Sequence, residues 1–317
     1  RGQNRSTAPF SFLYGGERSD GLLPNWDYSV QEEPSPAAGV SRRGVRSRDP
    51  KTGLMVEAQV TRYADAAAVD WVFCLANTGP ADTPLVEDFL ALDAVLATAP
   101  EGQAVLRWSN GDRCAADSFL PHDETLQAGV PREFAAHSSN VDCFPFFNLK
   151  TPGGGWIVAV GWTGRWKAEF CHDRQNSVRV RAGMQATRFR LRPGERVRTP
   201  RILLLRYGGE AMIRGHNQFR RLMLDRYVRR LEGRPAEPPV AYSSVAGLYV
   251  RAKETVQPLG RLNEDYELRM IAKAADLGCE TYWMDAYWYP QPWHENMGNW
   301  FPRPDDFPRG LRPLGDA

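Results

Sequence analysis

The stretch LMVEAQVTRYADAAAVDWVFCLANTGP (residues 54–80) decides the fold class of this chain. Apolar side chains recur along it with a period of two, which is the repeat of a β-strand with one buried face. The residues that alternate in this way are Leu54, Val56, Ala58 and Val60, then Val69, Trp71, Phe73 and Leu75. The Asn-Thr-Gly-Pro cluster at its end is typical of a turn. The stretch therefore predicts two successive strands of a sheet.

The same period continues to about Tyr207. The alternating residues in this region are Trp156, Val158, Val160 and Trp162, then Val178 and Val180, then Phe189 and Leu191. Pro-Gly clusters at residues 152–155 and 193–194 separate the runs. Many short strands with turns between them predict an all-β sandwich, so residues 1–208 are expected to form one large antiparallel β-domain.

The period changes after Glu210. Apolar residues then recur at helical spacing up to about Leu231, and they are Met212, Phe219, Leu222, Met223 and Tyr227. A Pro-rich stretch at residues 234–239 follows and predicts a stiff linker. We therefore expect residues 209–238 to be a helical connection followed by a linker.

Residues 239–317 carry a β–α–β pattern. Residues 240–250 and 280–284 are the candidate strands, and Asn263 is placed to cap a helix that ends before Gly278. The residues expected to form the buried stripe of this helix are Leu268, Ile271 and Ala275. An eight-fold β/α barrel takes roughly 250 residues. The pattern therefore predicts the beginning of such a barrel and no more of it.

Composition excludes several classes of function. The 317 residues include 40 basic and 38 acidic side chains, and the basic ones are scattered, which argues against nucleic-acid and membrane surfaces as partners. The five cysteines contain no Cys-x-x-Cys pair, so neither a disulfide framework nor a zinc site is expected. Reduced thiols favour a cytoplasmic location, with an extracellular one left open if an export signal was removed. We expect no metal and no other cofactor.

The candidate site lies in the segment TYWMDAYWYPQPWHENMGNW (residues 281–300). Asp285 ends an apolar strand, and in β/α barrels the active site lies at that end of the strands. Tyr287, Trp288 and Trp300 supply aromatic surface near this carboxylate. Carboxylates accept hydrogen bonds from sugar hydroxyls while rings cover the apolar sugar face. The alternatives are a loop cap for Asp285 and core packing for the two tryptophans.

A second polar segment, GDRCAADSF (residues 111–119), carries Asp112 and Asp117. Short acidic side chains accept hydrogen bonds from backbone N–H groups nearby and so stabilise turns. Turn formation is therefore the interpretation adopted for these two residues. A role in ligand binding is the alternative.

Several runs in this chain resemble glycoside hydrolase family 36, the α-galactosidase or melibiase family. The runs that carry the resemblance are PFSFLYGG (residues 9–16), PFFNLKTPGGGWIVAVGWTGRWKAEF (145–170), LRPGERVRTPRILLL (191–205), NQFRRLMLDRY (217–227), YWMDAYWY (282–289), MGNW (297–300) and FPRGL (307–311). The resemblance implies an N-terminal antiparallel β-supersandwich, a helical linker and the start of a (β/α)8 barrel. It also implies a retaining, exo-acting hydrolase of terminal α-linked sugars that works by double displacement on oligosaccharides.

The resemblance implies sugar contacts at Asp285, Trp288 and Trp300, with Tyr287 beside them. Two positions depart from the galactose-binding pattern. Ala286 stands where the family has a second Asp, and Val245 stands where it has a Trp, so the sugar and its linkage stay open.

The nucleophile and the acid/base of the resembling family lie on later barrel strands. We therefore expect both after Ala317, and we expect residues 1–317 alone to lack hydrolytic activity. A carbohydrate-binding protein or a non-catalytic relative of the same fold is the alternative. Family members often oligomerise, so a homo-oligomer is possible.

Overall fold

A computed structural model describes residues 8–244, 263–285, 288–290 and 295–317. The chain divides into two compact units, a first unit (Arg1–Val228) and a second unit (Arg229–Ala317). Val228 falls inside the predicted connection, residues 209–238. The division of the chain at residues 208 and 238 stays a prediction.

Short β-strands make up most of the first unit. They are β1 (Ser11–Tyr14), β2 (Glu17–Arg18), β3 (Asp27–Glu33), β4 (Val40–Arg48), β5 (Leu54–Tyr63), β6 (Ala68–Asn77), β7 (Val86–Leu90), β8 (Leu92–Thr98), β9 (Val105–Ser109), β10 (Pro121–Thr125), β11 (Arg132–Ala136), β12 (Phe146–Thr151), β13 (Gly154–Gly161), β14 (Trp166–His172), β15 (Ser177–Met184), β16 (Arg188–Phe189), β17 (Arg196–Arg198) and β18 (Arg201–Gly208). The second unit adds four in its described residues, namely β19 (Arg230–Leu231), β20 (Arg234–Pro235), β21 (Ala241–Ser243) and β22 (Thr281–Trp283).

Helices are few in the described residues. The α-helices are α1 (Ser19–Leu22), α2 (Met212–Leu222), α3 (Glu264–Asp276) and α4 (Arg312–Gly315). Single 3₁₀ turns occur at Leu23–Asn25 and Ala64–Ala66, and a π-helical turn at Met223–Tyr227 continues α2. Helix α2 therefore belongs to the first unit.

Antiparallel sheets build the first unit. A ten-stranded sheet runs in the order β10-β9-β12-β13-β18-β6-β5-β4-β3, with β17 also paired to β6. Two four-stranded sheets have the orders β11-β14-β15-β8 and β16-β7-β1-β2. The two successive strands predicted for residues 54–80 are β5 and β6, and they pair in one hairpin with a register from Leu54↔Asn77 to Tyr63↔Ala68. The prediction of an antiparallel β-sandwich is confirmed.

The two central strands β13 and β18 are buried on both faces. Val158 and Val160 point into the main core, whereas Ile157 and Ala159 point into a second apolar cluster on the other face of the sheet. A sheet face needs a covering layer to stay dry, and helix α2 supplies it through Phe219 and Leu222. The continuous apolar run in β18 reflects this double burial.

The segment after helix α2 differs from its prediction. The helical region ends at Tyr227 rather than near Leu231. The expected stiff linker begins instead as a hairpin in which β19 pairs with β20. Glu232 and Gly233 have φ values of 50° and 81°, as in the two-residue turns that match the twist of paired strands. The positive φ values of these two residues allow a tight turn, so the segment folds back on itself as a hairpin instead of extending as its Pro-rich composition predicted.

Helix α2 lies so close to the sheet that one helix position must be glycine. A Cβ built on Gly215 would lie 2.5 Å from Cδ1 of Tyr207. The Tyr207 ring cannot move away easily, because its hydroxyl donates to Oδ1 of Asn148 at 2.6 Å. The Asn148 amide in turn donates to the Met212 carbonyl at the start of α2. Gly215 thus sets the distance between the helix and the sheet.

We expect Gly215→Ala to destabilise the protein by about 1–3 kcal/mol, because overpacking at Tyr207 outweighs the roughly 1 kcal/mol that alanine gains over glycine in a helix. Urea unfolding followed by circular dichroism measures the effect. Gly21→Ala is the matched control, since Gly21 lies in helix α1 with nothing within 4 Å of a built Cβ. An equal change in the free energy of unfolding in the two variants would show that overpacking against Tyr207 does not destabilise Gly215→Ala.

A buried carboxylate holds the end of the α2 region against the sheet. Asp70 on β6 is fully buried, and it accepts hydrogen bonds from the hydroxyls of Tyr63 at 2.7 Å and of Tyr227. Arg201 on β18 donates to its other oxygen at 2.5 Å. Tyr227 lies in the π-helical turn, so one carboxylate ties together β5, β6, β18 and the turn that ends the helix.

This cluster predicts a loss of stability at alkaline pH. Burial, reinforced by the hydrogen bond to Asp70, raises the pKa of Tyr63 from 10.0 to about 12. In the unfolded chain this hydroxyl loses its proton near pH 10, whereas the folded protein keeps it until about pH 12. The stabilisation of the folded state by protonated Tyr63 is therefore complete below pH 10 and disappears between about pH 10 and 12. It amounts to at most about 3 kcal/mol. Chemical unfolding at a series of pH values should show a free energy of unfolding that falls with pH in this range, steeply in the parent and less steeply in Tyr63→Phe. An equal fall in the two proteins would contradict the prediction.

The polar loop at residues 111–119 forms turns, as expected. Oδ1 of Asp112 accepts from the backbone N–H of Cys114 at 3.1 Å, and Asp117 pairs with Arg113 at 3.2 Å. Cys114 and Phe119 adopt positive φ values of 52° and 62°. The local hydrogen bonds offset the strain of these two residues.

In the second unit, β21 and β22 pair in parallel, and helix α3 lies between them in sequence. Asn263 caps α3 as predicted, its side chain accepting from the Tyr266 N–H at 2.9 Å. Gly278 follows the helix with φ 76°. The remaining residues of the first candidate strand, 245–250, lie outside the described residues. The start of a β/α barrel stays a prediction.

The predicted buried stripe of α3 is wrong in part. Ala275 is exposed, and Leu268 and Ile271 are half-buried. The buried residues of the helix are Glu264, Glu267 and Ala274. The reason is that both glutamates have polar partners on neighbouring segments, which the apolar pattern of the helix cannot reveal.

Candidate functional site

The nine tryptophans in the described part of the chain fall into three environments, and the strongly exposed ones, Trp283 and Trp300, belong to the second unit. Those buried in the sandwich core are Trp26, Trp71 and Trp166. Those half-buried at the sandwich margin, each beside an arginine guanidinium, are Trp108, Trp156 and Trp162. Those described in the second unit are Trp283, Trp288 and Trp300. Trp293 lies outside the described residues.

Asp285 lies just beyond the end of strand β22, and its side chain is exposed. Strand β22 is oriented by a buried contact on its other side. The hydroxyl of Tyr282 donates to the Glu267 carboxylate on helix α3 at 2.5 Å, and Glu267 is fully buried. Burial raises the pKa of the Glu267 carboxyl above its ordinary value.

An aromatic cluster (Trp288, Tyr289 and Trp300) follows Asp285 in the chain. The Trp288 and Trp300 ring centroids lie 6.3 Å apart, and the ring of Tyr289 meets Trp300 edge-on at 4.8 Å. Tyr289 is buried, whereas Trp300 is 59% exposed. The buried tyrosine thus supports an indole whose surface is open to a ligand.

The loop that carries the cluster is fixed by the segment that follows it. The backbone N–H of Arg303 donates to the Trp288 carbonyl at 3.1 Å, and Arg303 pairs with Asp306 at 2.9 Å. Phe307, which follows Asp306 in the sequence, is buried. Arg309 donates through Nε to the buried Glu264 at 2.8 Å, which ties the same segment to helix α3.

The structure brings together two of the predicted site residues. Trp288 and Trp300 are in one cluster, and Asp285 is exposed at the end of its strand. Tyr287, Ala286 and Val245 lie outside the described residues. Sequence reasoning missed Tyr289, although its position next to Trp288 in an aromatic run was the available signal. In the described part of the chain, no group of three or more His, Cys, Asp or Glu side chains could hold a metal ion.

Comparison with known proteins gives a consistent result. No protein-family profile matches the chain. An α-galactosidase of Escherichia coli is 25% identical over 181 residues, covering 54% of this chain and 24% of the relative. A probable α-galactosidase G of Aspergillus terreus is 25% identical over 201 residues, covering 59% of this chain and 26% of the relative.

Solved structures match almost the whole chain. The α-galactosidase of Lactobacillus brevis superposes with a TM-score of 0.71 at 17% identity, covering 98% of this chain and 42% of that one. A family 36 α-galactosidase of Geobacillus stearothermophilus, solved in complex with raffinose, gives 0.71 at 16% identity, with coverage of 98% and 44%. The chain resembles the N-terminal portion of family 36 α-galactosidases.

The family 36 resemblance has a defined extent. The chain spans about a quarter of the length of these two curated relatives. The match to solved structures shows that the β-sandwich has the fold of family 36 enzymes. Among the described residues, no helix is long and apolar enough to cross a membrane.

Proposed function

We propose that the protein containing this chain is a retaining, exo-acting glycoside hydrolase of the α-galactosidase type. It removes terminal α-linked sugars from oligosaccharides by double displacement, in the cytoplasm. Residues 1–208 supply the β-supersandwich, residues 209–238 the connection, and residues 239–317 the first β–α–β of the (β/α)8 barrel. None of residues 1–317 is assigned as nucleophile or acid/base.

One observation carries this proposal: the α-galactosidase structures match 98% of the chain in a single superposition at a TM-score of 0.71. The match extends past the sandwich into the second unit, where the parallel pairing of β21 with β22 is the pairing that a barrel requires. Retention needs two carboxyl groups roughly 5 Å apart, one as nucleophile and one as acid and base.

In this proposal Asp285 accepts hydrogen bonds from sugar hydroxyls, while Trp288 and Trp300 cover an apolar sugar face. Tyr287 lines the same subsite. Sugar hydroxyls left without buried partners cost on the order of 1–3 kcal/mol each. Because Ala286 and Val245 cannot replace the carboxylate and the ring of the family pattern, the preferred sugar is expected to differ from galactose in its polar contacts.

A panel of aryl α-glycosides tests the proposal. The complete gene product is incubated with the α-galactoside, α-glucoside, α-xyloside and N-acetyl-α-galactosaminide, and the anomer first released is determined by NMR. Release of an aryl group with the α-anomer as first product supports the proposal. Turnover with the β-anomer as first product would show an inverting mechanism and contradict the proposed double displacement. Absence of turnover on the whole panel would favour a non-catalytic relative.

A further inference from the structure

A cleft of about 670 Å³ opens at the margin of the β-sandwich, within the first unit. This lies within the range of roughly 300–1,000 Å³ that is typical of small-molecule sites. Its walls come from strand β8, from the turn between β12 and β13, and from the end of β18. None of these residues belongs to the site proposed above.

Trp156 and Arg206 line this cleft together. They are directly paired across β13 and β18, and the guanidinium carbon of Arg206 lies 6.0 Å from the centre of the indole ring. Trp156 is half-buried and packs against the sandwich core, so its ring is held in place. A fixed ring beside a planar set of five N–H donors suits a ligand with both an apolar face and oxygen acceptors.

Strand β8 forms another wall of the cleft. In the described part of the chain it is the outermost strand of its sheet, so no further strand pairs with its second edge, although the Asp93 N–H on this strand donates to the Pro9 carbonyl at 2.7 Å. A register shift in its pairing with β15 leaves Leu96 as an extra residue, a β-bulge of the kind often found beside binding sites. Val95, next to the bulge, is 55% exposed and lines the cleft. Free edge groups can donate to and accept from hydroxyls.

The glycines of the hairpin keep the third wall thin. A Cβ on Gly154 would lie 2.2 Å from the Tyr207 carbonyl, and one on Gly155 would lie 2.4 Å from the Tyr207 hydroxyl. Both positions therefore require glycine, and the backbone itself forms the wall. Arg206 is the single charged side chain among the residues that line the cleft. The nearby Glu210 carboxylate accepts from the Gly153 N–H at 2.8 Å and pairs with Lys150 at 3.3 Å, so its charge is balanced locally.

We propose that this cleft is an accessory binding site for short oligosaccharides that carry a carboxylate, such as uronic-acid oligomers. One sugar ring packs against the part of the Trp156 indole that lines the cleft, its carboxylate pairs with the Arg206 guanidinium beside that indole, and its hydroxyls bond to backbone groups on the outer edge of β8. The cleft shares no residue with the proposed hydrolytic subsite, and binding in it does not depend on hydrolysis.

Calorimetric titration of the complete protein with trigalacturonic acid tests the proposal, with cellotriose as a neutral trisaccharide that has no α-linked terminal sugar. We expect saturable binding of the acid that exceeds cellotriose binding about tenfold, since Arg206 pairs only with the carboxylate. Trp156→Ala is expected to weaken binding at least tenfold. Absence of saturable binding of trigalacturonic acid, or equal affinity for cellotriose, would overturn the proposal.

Two further variants separate a ligand contact from a packing role. Val95→Glu places a carboxylate in the cleft from an exposed position, and its repulsion of the acidic ligand should abolish binding without changing the thermal midpoint of unfolding. Trp162→Ala is the matched control, because Trp162 forms the same kind of pair with Arg198 but does not line the cleft; it should bind as the parent does. Binding lost in Trp300→Ala but retained in Val95→Glu would place the ligand in the second unit and overturn the proposal.

Discussion

Replacing Asp70 with asparagine is expected to lower the free energy of unfolding of the first unit by about 3 kcal/mol. The side chain is fully buried and serves Tyr63, Tyr227 and Arg201 at once. Both tyrosine hydroxyls donate to one carboxylate oxygen and Arg201 donates to the other. An amide has one acceptor oxygen and no charge, so its NH2 group must face either the guanidinium or the two hydroxyls, and a buried group that loses its partner costs about 1–3 kcal/mol. Urea unfolding should show this loss of stability, and thermal unfolding should show a fall in Tm of roughly 6–12 °C.

Asp65→Asn is the matched control for Asp70→Asn. Asp65 pairs with Arg226 at 2.8 Å and so also joins the turn after helix α2 to the sheet region, but its side chain is 55% exposed. Exposed ion pairs contribute only about 0–1 kcal/mol, so this variant should unfold nearly as the parent does. If the two variants lost equal stability, burial would not be the source of the Asp70 effect.

Asp285→Ala is expected to lower kcat/KM of the complete protein by roughly tenfold to a hundredfold. The proposed role is to accept hydrogen bonds from sugar hydroxyls, and a hydrogen bond to a charged group contributes about 1.5–3 kcal/mol. Trp300→Ala should act mainly on KM, because ring stacking holds substrate and transition state alike. Steady-state kinetics on the best aryl α-glycoside measures both.

Asp276→Asn provides the control for Asp285→Ala. Asp276 is an exposed carboxylate at the end of helix α3, and its loss should leave kcat/KM unchanged. Circular dichroism and Tm of each variant exclude unfolding as the cause. Full activity of Asp285→Ala would remove this residue from the sugar subsite and leave only the aromatic cluster there.

Local pattern was enough for the fold class and for several boundaries. The alternation in residues 54–80 predicted the two strands β5 and β6, because period-two burial depends only on which face of one sheet is covered, whereas their register came from the structure. Asn263 and Gly278 marked the ends of helix α3, since capping is a contact between residues close in sequence. Asp285, Trp288 and Trp300 could be proposed as sugar contacts from sequence because aromatic residues beside an acid at a strand end are visible in one short segment.

Other features depended on distant partners. Strands β13 and β18 bury apolar residues on both of their faces, because helix α2 covers the face that is turned away from the main core. The buried face of α3 was misplaced because Glu264 and Glu267 pair with Arg309 and Tyr282.

The sequence by itself determined that this chain forms an antiparallel β-sandwich followed by a β–α–β segment with an acidic and aromatic strand end. Only the tertiary structure decided that Asp70 is a buried hub for Tyr63 and Tyr227, and that Gly215 must make room for Tyr207. The physical reason is that periodicity and capping are set by neighbours along the chain. Burial of a carboxylate or contact of a glycine is set instead by surfaces that meet only after the sheet and the helix have packed.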